Sequence, residues 1–143
     1  METTLDSIHP AATASSTTPA RRGRWAGRIA TGIPVLFLAF DVAIKLIDPP
    51  MVAQTSAQLG LPAGLSGPIG VLLAACLALY LVPRTAPLGA VLLTGYLGGA
   101  VLTHVRVGGP LFSHILFPVY VGALLWTGLY LRDDRVKRLL APR

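Results

Sequence analysis

Residues 65–82 read LSGPIGVLLAACLALYLV. The run contains no charge, and its apolar residues do not gather on one side of a helix. A helix in a soluble core keeps a polar stripe toward water, whereas one that is apolar all round lies in a membrane or deep inside a large protein. A chain of 143 residues has little deep interior to offer. The run is therefore read as a membrane span, and the rest of the chain is read outward from it.

Three further stretches match it: 27–47, 87–105 and 111–131. Each of the four has about 18–21 residues, close to the ~20 needed to cross a ~30 Å hydrocarbon core. In lipid every backbone polar group must be satisfied within the segment, so the runs are predicted as helices. Composition agrees. Hydrophobic residues make up 53% and charged residues 13%, about half the charged share of a soluble domain. The mean hydropathy is +0.65.

The formal charge of +6 could suggest nucleic acid, but the placement of the charges argues otherwise. Arg21, Arg22, Arg24 and Arg28 lie at the start of the first run, Arg84 lies between the second and third, and Arg132, Arg135, Lys137, Arg138 and Arg143 follow the fourth. These are ten of the twelve Lys and Arg residues. Lys45 and Arg106 fall at the opposite ends of their runs. Basic residues mark the cytoplasmic side. The expectation is an all-α, integral membrane, up-down four-helix bundle with both termini in the cytoplasm. Anionic lipid, rather than nucleic acid, is then the counterpart of the positive charge.

Three segments are predicted. Residues 1–24, rich in Ser, Thr, Ala and Pro in their first twenty, form a disordered tail. Residues 25–135 form the membrane domain, and 136–143 a basic cytoplasmic tail. The first span is read as an uncleaved anchor, because it carries Asp41 and Lys45 and lacks a clean cleavage site after it. Pro49 and Pro50 stop it, and residues 51–59 are expected to form a short helix in the outer interface, ended by Gly60 and Pro62. Small pairs four apart (Ala39 and Ala43, Ala74 and Ala78, Gly95 and Gly99) predict close helix contacts. Trp25, Tyr80, Trp126 and Tyr130 are candidates for interfacial aromatics, with Trp126 deeper than the others, and Pro118 for a kink in the fourth helix.

The residues that lipid should reject are the candidate site. Asp41 and Lys45 are four apart and share a helix face. Two readings stay open: an ion pair with Lys45 reaching outward, or a polar site lined by both. His104 and Arg106 close the third span, and His114 opens the fourth. All lie at the outer end together with Lys45, so a cavity facing the outer leaflet is expected near Asp41, Lys45, His104, Arg106 and His114. His104 and Arg106, two apart, do not share a face; His104 is expected inward and His114 at the interface. No metal is expected, since Lys45 and Arg106 oppose a cation. The single cysteine, Cys76, excludes an intramolecular disulfide or a CxxC pair and reads as a packing residue. No phosphate-loop, dinucleotide, hydrolase-elbow or zinc-protease motif is present.

The stretch FLAFDVAIKLI with Lys45, the turn LGLP at residues 59–62, GAVLLTGYLGGAVLTHVRVG and the ending WTGLYLRDDRVKRLLAP together resemble the DoxX-like family of small bacterial four-helix membrane proteins. The resemblance implies four spans in the cytoplasmic membrane. It also implies kinship with subunits of membrane oxidoreductase assemblies, and transfers no catalytic role to any residue. Two functions are in view. One is a subunit or accessory of an oxidoreductase or stress-response assembly, with a quinone- or lipid-sized outer cavity and a quinone as its candidate cofactor. The other is a non-enzymatic scaffold whose Gly95 and Gly99 form an oligomer contact. Neither the motifs nor the composition assigns a reaction.

Overall fold

The computed structural model describes residues 19–140. Most of the expected tail, residues 1–18, and the last three residues of the basic ending lie outside the described residues. Within them the chain is all-α: α1 (Pro19–Ile47), α2 (Pro50–Gln58), α3 (Ser66–Leu81), α4 (Ala86–Arg106), a π-helical turn (Leu111–Ile115), α5 (Phe117–Arg132) and α6 (Asp134–Leu140). Helix α1 begins well before the apolar run it carries, so the helix starts inside the segment expected to be disordered. The basic ending is likewise helical as far as Leu140.

Three stretches among the described residues are long and apolar enough to cross a membrane: Trp25–Ile47, Ala86–Arg106 and Leu111–Arg132. Only 17%, 22% and 28% of their most apolar windows is buried inside the protein. Leu36, Phe40, Leu102 and Val71 point outward with more than half their surface free. Apolar area on that scale is costly in water and costs nothing in lipid. The protein is a membrane protein.

The run that decided the fold is shorter as a helix than as a sequence. Helix α3 has 16 residues, roughly 24 Å at 1.5 Å per residue. Gly64 takes a left-handed φ of +79° just before it. At the other end Val82 precedes Pro83 and is extended (ψ 119°), as the proline ring requires of its neighbour.

Helix α1 packs against α3 and α5, and α4 packs against the same two. Glycines set the closest approaches. A Cβ on Gly89 would strike the backbone of Tyr80 and Leu79, and one on Gly128 would lie 2.9 Å from the Thr31 amide nitrogen. A Cβ on Gly27 or Gly70 would lie 2.9 Å from Leu131 or Lys45 Cβ, respectively. The predicted Gly95 and Gly99 contact is not among these: a Cβ at either meets nothing within 4 Å. Spacing marked them as small, and the packing places them beside empty space.

One aromatic is also placed differently from expectation. Tyr80 is completely buried, because its hydroxyl finds the Leu125 carbonyl at 2.8 Å. Trp126 donates from Nε1 to Thr94 Oγ1 at 2.9 Å, tying α5 to α4. Pro118 does not kink a helix; it sits buried in the first turn of α5, where its missing N–H is no loss. The interruption falls earlier, in the π-helical turn that Gly108 (φ +67°) and Pro110 lead into.

Candidate functional site

The end of α1 carries the first pair. Lys45 Nζ donates to Asp41 Oδ1 along one helix face. Their side chains are only 22% and 28% exposed. Asp48 then adopts a left-handed φ of 47° and the two prolines turn the chain into α2. Helix α2 exists as expected and is tied to α3 by Ser56 and Ser66, whose hydroxyls are 3.2 Å apart.

A cavity of about 570 Å³ opens between these elements. Its polar rim holds Lys45, Thr103 and His104. Its apolar walls come from α3 (Ile69, Leu72, Cys76) and α4 (Leu92). Gly95, Gly99 and Ala100 line it too, and the small size of these three residues leaves the space open. Tyr96 stands on the wall, partly buried, with its phenol toward the Asp41 carboxylate. Leu59 and Leu61, from the segment after α2, complete the lining.

The five residues singled out by sequence therefore divide. Lys45 and His104 line the cavity. Asp41 stands behind Lys45 as its partner. Arg106 turns away, as the two-residue offset from His104 requires, and its Nη2 donates to the Leu59 carbonyl at 2.7 Å. A Cβ on Gly60 (φ +68°) would press on that guanidinium, so glycine serves both the turn and the latch. His114 is exposed in the π-helical turn, its ring edge-on to His104 with centroids 5.6 Å apart. Its Nδ1 lies 2.8 Å from Ser113 Oγ.

Among the described residues no three His, Cys, Asp or Glu side chains gather where they could hold a metal. What the arrangement offers is an apolar slot with an ammonium, an imidazole and two hydroxyls near its rim and wall. Such a site suits a flat or chain-like apolar molecule with an oxygen-bearing head.

Sequence reasoning missed Tyr96 and Cys76 as wall residues. A signal existed for α4: Leu92, Gly95, Tyr96, Gly99, Ala100 and Thr103 follow the i, i+3, i+4, i+7 spacing of one face. Cys76 is buried, as its packing reading required, and no spacing rule marks its second role.

A second cavity, about 520 Å³, lies at the opposite, Arg-rich end. It is lined by Arg28, Pro83, Ala86, Leu129 and residues 132–135.

A model of the DoxX-like family matches residues 29–128. That segment covers α1 from Ile29 onward, with Asp41 and Lys45, and the whole of α3 and α4. Comparison with curated proteins and with solved structures finds no match.

Proposed function

Since the chain belongs to the DoxX-like family, we propose that it is a four-span protein of the bacterial cytoplasmic membrane that binds a quinone-sized molecule in the α3–α4 cavity. Both termini lie in the cytoplasm in this reading, which follows the basic residues, and α3 serves as a short fourth span. The cavity then faces the outer leaflet. It serves an oxidoreductase or stress-response assembly, whose partner protein supplies or takes the electrons.

One observation carries this reading. The cavity joins about 570 Å³ of apolar space to Lys45 and His104 at its rim, within the size range of small-molecule sites. A quinone carbonyl needs a donor, which Lys45 provides, and a nearby proton carrier, which His104 provides. Leu72, Leu92 and the glycine-lined face of α4 would take the ring and the first part of the tail.

Titration of the purified protein with a short-chain quinone tests it. The wild type should bind saturably. Lys45→Met should weaken binding by about tenfold, the value of one charge-assisted hydrogen bond. Gly99→Leu should abolish it by filling the cavity. Failure of the wild type to bind would sink the proposal.

The scaffold reading keeps one observation of its own. Gly98 is exposed on α4, meets nothing within 4 Å and does not line the cavity. Another helix could pack there, in a second copy or in a partner protein. Crosslinking in membranes distinguishes the two: Gly98→Leu removes a specific oligomer if α4 is a contact face, and leaves quinone binding intact.

A further inference from the structure

The cavity at the Arg-rich end is not explained by the outer site, and its charges are unequally partnered. Three guanidinium groups line it, from Arg28 on α1, Arg132 at the end of α5 and Arg135 in α6. Two carboxylates line it as well, but both are engaged. Asp133 Oδ2 accepts from Arg135 Nη2 at 3.0 Å, and Asp134 Oδ1 accepts from Lys137 Nζ at 2.8 Å. Arg135 also donates to the Pro83 carbonyl. Arg28 and Arg132 remain, and neither forms an ion pair among the described residues.

Arg132 is nonetheless held in place. Its Nη2 donates to the Tyr80 carbonyl at 3.2 Å, and its guanidinium lies 4.8 Å from the Tyr80 ring centroid. Helices α1 and α5 are drawn together beside it by Gly27, where a Cβ would be 3.5 Å from the Arg132 amide nitrogen. The fold thus places a close helix approach next to two like charges that repel. An anion between them removes that cost. The guanidinium fork matches two oxygens of a phosphate.

We propose that Arg28 and Arg132 form a binding site for a phosphate group in this cavity, with Arg135 and α6 closing one side. A lipid headgroup and a soluble phosphate share this chemistry. Leu139 and Leu140, exposed at the end of α6, put apolar surface on the same short helix as Arg135, where acyl chains would lie, and so favour the lipid.

Calorimetric titration of the full-length protein in zwitterionic detergent distinguishes the sources. The ligands are a short-chain phosphatidylglycerol, phosphatidylcholine of the same chain length, and inorganic phosphate. Salt at about 0.5 M screens exposed charges and leaves partly enclosed contacts. Phosphatidylglycerol should bind, with Arg28→Gln and Arg132→Gln each weakening it about tenfold. Arg138→Gln, a basic side chain outside the cavity, should change it by less than about twofold. The same variant pattern with inorganic phosphate, and no tighter binding of the lipid, supports the site with a soluble ligand. Arg138→Gln matching Arg28→Gln would overturn the proposal, as would no binding of either phosphate ligand. Arg28 holds no other described group, so its variant folds even if Arg132→Gln does not.

Discussion

Neutralising Asp41 tests how the α3–α4 site is held. Asp41→Asn keeps the shape of the side chain and removes the carboxylate that accepts from Lys45. A lone charge at mid-bilayer costs about 2.5–3.5 kcal/mol on insertion scales. Lys45 lies in the last turn of α1 and is 22% exposed, so its ammonium can reach outward and recover part of that. A cost of about 1–2 kcal/mol is expected. Lys45→Met should cost a similar ~1–2 kcal/mol, because Asp41 then keeps only the Tyr96 phenol nearby. The double variant removes both charges together, and replacing a half-buried pair with neutral groups is close to neutral. The two single costs therefore should not add; the cycle should show a coupling of about 2–4 kcal/mol, the sum of the two single costs. Unfolding in mixed micelles, followed as the fraction of denaturing detergent rises, gives all four stabilities. Additive costs would refute the view that the two charges depend on each other. The double variant also separates structure from function: it should fold as well as the wild type and still lose the ammonium that faces the cavity.

Three further outcomes follow from the packing. Gly128→Ala should destabilise by about 2–3 kcal/mol, since its Cβ would press into Thr31, while Gly98→Ala should be neutral or stabilising by up to about 1 kcal/mol; the same unfolding assay compares them. Arg106→Gln should free the Leu59–Leu61 segment that closes the cavity, raising hydrogen exchange at Leu61 and speeding ligand release without loss of fold. Asp133 is held below the usual carboxylate range mainly by hydrogen bonding from Arg135. A depressed carboxylate stabilises the folded state at neutral pH, and that contribution is lost as pH falls through the folded value. Exchange protection in α6 should therefore persist at neutral pH and drop only below about pH 4.

The membrane character was legible because lipid makes a crude demand. The run 65–82 is apolar all round, and no packing detail is needed to read it. Lys45 and His104 stood out for the same reason, as groups that hydrocarbon rejects. The shared end of the molecule followed from the alternation of basic flanks. Other features needed three dimensions. Gly95 and Gly99 look like a contact motif in sequence, and only the positions of α3 and the Leu59–Leu61 segment turn them into a cavity wall. Tyr80 looks interfacial until the Leu125 carbonyl is found beside its hydroxyl. Arg28 and Arg132 are indistinguishable from other flanking arginines by position, because their convergence depends on the close approach of α1 and α5 at Gly27. The length of α3 was overestimated, since hydropathy continues through Leu65 and Val82 while backbone geometry stops the helix at Ser66 and Leu81.

The central proposal is that the α3–α4 cavity holds a quinone-sized molecule against Lys45. Mass spectrometry of the small molecules that copurify with the detergent-extracted protein measures this most directly, with wild type compared with Lys45→Met. A quinone present with the wild type and depleted in the variant is the expected result. Bulk phospholipid alone in both preparations would contradict it and leave the α4 face, around Gly98, as the feature to explain.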